Sequence, residues 1–110
     1  MLSKKAKGLM DMQRNDVIKR LRKHRTELVE MGVRSLALFG SLARGEEDAA
    51  SDVDLLVELD PERPLGLFEY VAIQQRIEEI LEGTPVDLVM RGALHEELRE
   101  NILKEAIPIG

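Results

Sequence analysis

Two short apolar runs, Val33–Phe39 and Val53–Leu59, stand too close together for a helix to cross between them. A Gly40-Ser41 turn and a polar stretch over residues 46–50 take up the intervening chain. A parallel pair needs a long, usually helical crossover, so strands made from these runs are expected to be antiparallel. Asp60-Pro61 and Pro64 end the second run, as proline does where a strand must stop. Residues 65–82 place Tyr70, Ile73, Ile77, Ile80 and Leu81 on one helical stripe, and Gly83 stops that helix. After Thr84-Pro85, Val86–Met90 reads as a third strand, with Asp87 set among apolar residues.

The flanks complete the pattern. Asn15 or Asp16 can cap a helix whose stripe is Val17, Leu21, His24, Leu28 and Met31, ending at Gly32. Leu94, Leu98 and Ile102 give a last helix, followed by an apolar tail over residues 106–109. The expected order is helix, strand, turn, strand, helix, strand, helix. That order predicts a two-layer α/β fold, a small mixed sheet with helices packed on one face. Residues 1–14 lack periodicity and are expected to form a frayed arm, leaving 15–110 as one domain.

Composition removes several function classes. The chain has no cysteine, which excludes disulfides and thiolate metal sites. No apolar run reaches the roughly 20 residues of a membrane span, and the N-terminal lysines precede no signal-like apolar core. A cytoplasmic protein is expected. The net charge is −5, but residues 1–25 hold nine Lys/Arg against two Asp, so the remaining chain is strongly acidic. Aromatic residues for base stacking are absent from the basic segment, so direct nucleic-acid binding is not expected.

Chemistry concentrates around the first two strands. Asp52 and Asp54, one residue apart at a strand start, project to the same face with Cα atoms about 7 Å apart. Like charges so close repel unless a cation lies between them, and Mg²⁺ suits a few carboxylates with positions left for water and phosphate. If the strand carrying Asp87 lies alongside, three acids converge, enough for two metals roughly 4 Å apart. Asp87 has a simpler alternative in pairing with Arg91. Gly40 allows close backbone approach to a phosphate, and Ser41 offers a hydroxyl and an N–H. A helical turn over residues 42–45 would add a favourable dipole, and Arg44 can reach a triphosphate or remain on the surface. Metal ligands beside a phosphate grip describe an in-line transfer at phosphorus. His24 and His95 lack ligand spacing, Tyr70 reads as core, and Ser41 has no partners for a hydrolase triad.

Gly40-Ser41, ten residues, then Asp52-Val53-Asp54 resembles the signature of the polymerase-β-like nucleotidyltransferases. The text GSLARGEEDAASDVDLLV, the VDLV around Asp87 and the tail LKEAIPIG resemble the minimal nucleotidyltransferase group. The resemblance implies a polymerase-β-like core and a two-metal site with Asp52, Asp54 and Asp87 as Mg²⁺ ligands. Asp87 would also help deprotonate the attacking hydroxyl, and Gly40 and Ser41 would hold ATP. Members of this group are commonly antitoxins that form hetero-oligomers with HEPN-domain toxins and transfer AMP to a toxin tyrosine. Two other functions compete. A small-molecule nucleotidyltransferase of the aminoglycoside type predicts an additional acceptor-binding domain, expected to be absent here unless another chain supplies it. A non-catalytic antitoxin would neutralise its partner by contact alone, yet keeping three repelling acids without a cation is costly.

Overall fold

In the computed structural model, the chain is described over residues 14–44, 53–94 and 96–109. The expected arm falls outside these residues except for Arg14, which opens the first helix. The elements are α1 (Arg14–Lys23), α2 (Arg25–Glu30), β1 (Val33–Phe39), α3 (Gly40–Ala43), β2 (Val53–Leu59) and α4 (Leu67–Ile80). They continue with β3 (Val86–Met90), a 3₁₀ turn (Arg91–Ala93), α5 (Glu96–Glu105) and β4 (Ile107–Pro108). No helix among the described residues is long and apolar enough to cross a membrane.

The sheet is mixed, in the order β3-β2-β1-β4. β1 runs antiparallel to β2, as the short connection requires, whereas β2 and β3 are parallel and joined through α4. Pairing Leu36 with Val57, Leu38 with Leu55, and Leu55 with Leu88 places these side chains on one face. There they meet Val17 and Leu21 of α1, Leu28 of α2, and Ile73, Ile77 and Ile80 of α4. Burying each large aliphatic side chain of this layer contributes on the order of 1.5–3 kcal/mol. The opposite face carries Ser35, Ala37 and Phe39, then Asp54, Leu56 and Glu58, then Asp87 and Val89.

Several elements differ from the sequence pattern. The first helix is two: His24 takes φ −100° and ψ 16°, and its N–H bonds to Leu21 O at 3.1 Å. The apolar stripe survives because the break re-aims α2 without turning Leu28 away from the core. Helix α4 starts at Leu67, two residues later than expected, because Pro64 and Gly66 keep the chain extended before it. The Glu69 carboxylate accepts the Gly66 N–H at 2.7 Å, a bond that holds its pKa below the usual carboxylate range. At the other end, Glu82 takes the left-handed conformation (φ 58°) ahead of Gly83. Gly83 N–H reaches Glu78 O and Glu82 N–H reaches Glu79 O, closing the last turn as a Schellman motif. Finally, the C-terminal tail contains a fourth strand, β4, with Ala37 opposite Pro108 and Leu38 opposite Ile107. Two residues with a proline give too short a pattern to read as a strand until a partner edge is present.

The layering is also less one-sided than expected. Leu103 and Ala106, at the end of α5 and just beyond it, line a small cavity with Ala37 and Leu56 on the second face. Leu56 is buried on this face, while Asp54 is half-buried and Asp87 exposed farther along it.

An ion-pair cluster ties α2 to α4. Arg76 grips both carboxylate oxygens of Glu27 and also reaches Glu79 at 3.2 Å. The bond from Arg76 lowers the Glu27 pKa, with a smaller contribution from His24. A depressed carboxyl contributes stability above its unfolded pKa and loses it as pH falls through the folded value. Glu27→Gln is therefore expected to lower Tm at pH 7 by roughly 1–5 °C and to flatten the fall in Tm below about pH 5. Thermal melts from pH 7 to pH 3 check this; an unchanged acid limb removes Glu27 as its source.

Candidate active site

The turn after β1 lies beside the starts of β2 and β3, because β1 is antiparallel to β2 and β3 is parallel to it. Phe39 is opposite Asp54, and Asp54 is in turn opposite Asp87, so the three form one row across the sheet. Neighbouring strands lie about 4.8 Å apart, which sets the backbone separation of the two acids. Both occupy the face away from the helical layer; Asp54 is half-buried and Asp87 exposed. Burial on the other face fixes this orientation, since Val53, Leu55, Val86 and Leu88 occupy the core.

Gly40 completes the row. It has φ +79°, and a Cβ placed on it would lie 2.2 Å from Asp54 Oδ2. Main chain and carboxylate thus meet where any larger residue would intrude. Gly40 also begins α3, two residues earlier than the turn expected over residues 42–45. The α3 turn is held from two sides. Arg14 donates from Nη1 to Ala43 O at 2.9 Å, and Arg44 pairs with Glu105 of α5 at 3.0 Å. A phosphate contact from Arg44 would draw on the guanidinium that holds Glu105.

Of the expected metal ligands, Asp54 and Asp87 are brought together by register, while Asp52 lies outside the described residues. Among the described residues no group of three or more acids or histidines converges. Two adjacent carboxylates on an accessible face nevertheless fit a hard divalent cation, which takes oxygen ligands and relieves their repulsion. Ser41 follows Gly40 in α3. The alternative partner for Asp87 is not used: Arg91 points instead to Glu58, at 3.9 Å. His24 sits against Glu27 at 3.3 Å, and His95 lies outside the described residues.

Tyr70, expected in the core, is half-buried, and its hydroxyl donates to Leu88 O on the strand that carries Asp87. Burial raises the Tyr70 pKa, and the Asp87 charge adds to the rise. Its position at the start of an apolar stripe hid this polar role.

The nucleotidyltransferase domain family matches residues 19–109. The protein adenylyltransferase MntA of Thermococcus cleftensis is 39% identical over 85 residues, covering 76% of this chain and 83% of that protein. A solved minimal nucleotidyltransferase superposes with a TM-score of 0.66 at 36% identity, over 83% of this chain and 94% of the other. The MNT antitoxin complex with tri-AMPylated Shewanella oneidensis HEPN toxin also matches, with a TM-score of 0.57. There the identity is 17%, over 84% of this chain and 71% of the matched one, a likeness of fold.

Proposed function

The chain belongs to the nucleotidyltransferase domain family, and we propose that it transfers AMP from ATP to a tyrosine hydroxyl of a HEPN-domain toxin, acting as its antitoxin. The observation that carries this reading is the row of Asp54 and Asp87 closed by Gly40 on an accessible sheet face. Asp52, Asp54 and Asp87 would hold Mg²⁺, two ions when fully loaded. Bound Mg²⁺ supplies charge neutralisation at the triphosphate. Gly40 and Ser41 cradle the phosphates through close backbone approach, with Arg44 at the end of the same turn. The acceptor oxygen bonds to the α-phosphorus, the bond to the bridging oxygen of the β-phosphate breaks, and pyrophosphate leaves. Asp87, exposed on an edge strand, is the carboxylate an incoming hydroxyl can meet, and it accepts the hydroxyl proton.

One further point supports a protein acceptor held in a hetero-oligomer. Related proteins carry the names of a protein adenylyltransferase and of an antitoxin bound to an AMPylated HEPN toxin.

The test is to incubate the protein with ATP, Mg²⁺ and the product of the neighbouring gene, then to weigh both chains intact. AMP on a partner tyrosine, dependent on Mg²⁺, is the expected result. Full inhibition of the partner without any adduct would mean that neutralisation works by contact alone.

A further inference from the structure

Strand β3 is an edge strand, paired with β2 on one side only. Alternate peptide groups of an edge strand have no ladder partner and must be satisfied otherwise. Helix α4 supplies the partners from one stripe. Tyr70 donates its hydroxyl to Leu88 O, Gln74 Nε2 donates to Val86 O at 3.1 Å, and Glu78 Oε2 accepts the Val86 N–H at 3.0 Å. The four-residue spacing stacks these side chains on one helix face, beside the apolar stripe of Ile73, Ile77 and Ile80. Val86 and Leu88 flank Asp87, so Asp87 is tied to β2 on one edge and bracketed by α4 on the other.

We propose that Tyr70, Gln74 and Glu78 are positioning residues that lock the register of β3 and so set Asp87 opposite Asp54 for divalent-cation binding. The inference rests on the metal-site reading of these two aspartates. The physical stake is the period of a strand. A slip of one residue along β2 would turn Asp87 toward the helical layer and bring an apolar neighbour to the accessible face. Burial of Val86 and Leu88 already opposes such a slip, and three side-chain bonds at fixed heights add a direct hold on a five-residue ladder paired on a single side. The same bonds also cover an edge that would otherwise be open to pairing, so positioning must be separated from edge protection by measurement.

Paramagnetic broadening of ¹⁵N-labelled amide signals around Asp54 and Asp87, titrated with Mn²⁺, separates them without using catalysis. Glu78→Gln keeps an acceptor for the Val86 N–H, whereas Glu78→Met removes it at similar length. Gln74→Glu sets an acceptor against Val86 O and adds negative charge, which by Coulomb attraction alone would tighten cation binding. We expect Glu78→Gln to titrate like the parent, and Glu78→Met and Gln74→Glu to need about 10–100-fold more Mn²⁺. Tyr70→Phe, which removes one oxygen, gives the same reading if Glu78→Met does not fold. If the parent binds Mn²⁺ and all these variants bind it equally well, the stripe only protects the edge and the proposal is wrong. If the parent shows no broadening at either aspartate, the metal-site reading fails, and this inference with it.

Discussion

Asp87→Asn is expected to reduce AMP transfer to the partner by at least about 10²–10³-fold, with Asp54→Asn no milder. The amide keeps the size and shape of the side chain, so the sheet and its core on the opposite face are undisturbed. What is lost is one of two carboxylates in adjacent register positions that are proposed to hold the metal. At Asp87 the proposed proton acceptor is lost as well. In the proposed site the two residues act on the same cation and phosphate, so the double variant should be little worse than the more damaging single one. Stability should move differently. Replacing one of two neighbouring carboxylates relieves repulsion, so the Asp87→Asn protein without metal should melt no lower than the parent. The parent should gain thermal stability when Mg²⁺ and ATP are added, and the variants should not. Intact-mass kinetics and melting curves test both halves. An Asp87→Asn protein that transfers at the parent rate would remove this strand from the chemistry.

Gly40→Ala is the second change with a large effect, and the structure contains its own control. Gly40 and Gly83 both adopt left-handed conformations, with φ +79° and +84°. A Cβ on Gly83 meets nothing within 4 Å, whereas one on Gly40 meets Asp54 Oδ2 at 2.2 Å. Gly83→Ala therefore reports backbone strain alone, about 1–2 kcal/mol, and should leave transfer intact. Gly40→Ala adds to that strain a collision with a carboxylate group proposed to hold the metal. It is expected to cost more stability than Gly83→Ala and to lower transfer by about 10²-fold, because a ligand displaced by an ångström no longer fits its geometry. Chemical denaturation gives the first difference and single-turnover transfer the second. Equal activity in the two alanine variants would mean that the seat of Asp54 against Gly40 does not matter for the reaction.

Where pattern and structure differ, most of the differences arise from partners distant in sequence. Strands β1, β2 and β3 occupy the residues their apolar runs indicate, because those runs are bounded by Gly, Pro or Asp at both sheet ends. Strand β4 was illegible because two residues become a strand only when Leu36, Ala37 and Leu38 offer an edge. The break at His24 lay inside an unbroken apolar stripe, which is blind to a local change of hydrogen bonding. Residue type and periodicity cannot reveal the partners of Arg44 and Tyr70, because Glu105 and Leu88 O are 61 and 18 residues away.

By itself the sequence determined the elements and the chemistry on offer: apolar runs that must be buried, a Gly-Ser turn, and acids set at strand starts. Local propensity and side-chain period suffice for that, because both are properties of neighbours along the chain. Only the tertiary structure decided that Asp87 stands opposite Asp54, that Gly40 yields its side-chain space to that aspartate, and that α4 brackets the strand between them and solvent. Register, close approach and edge coverage arise between segments distant in sequence, so they exist only once the sheet has closed against its helices.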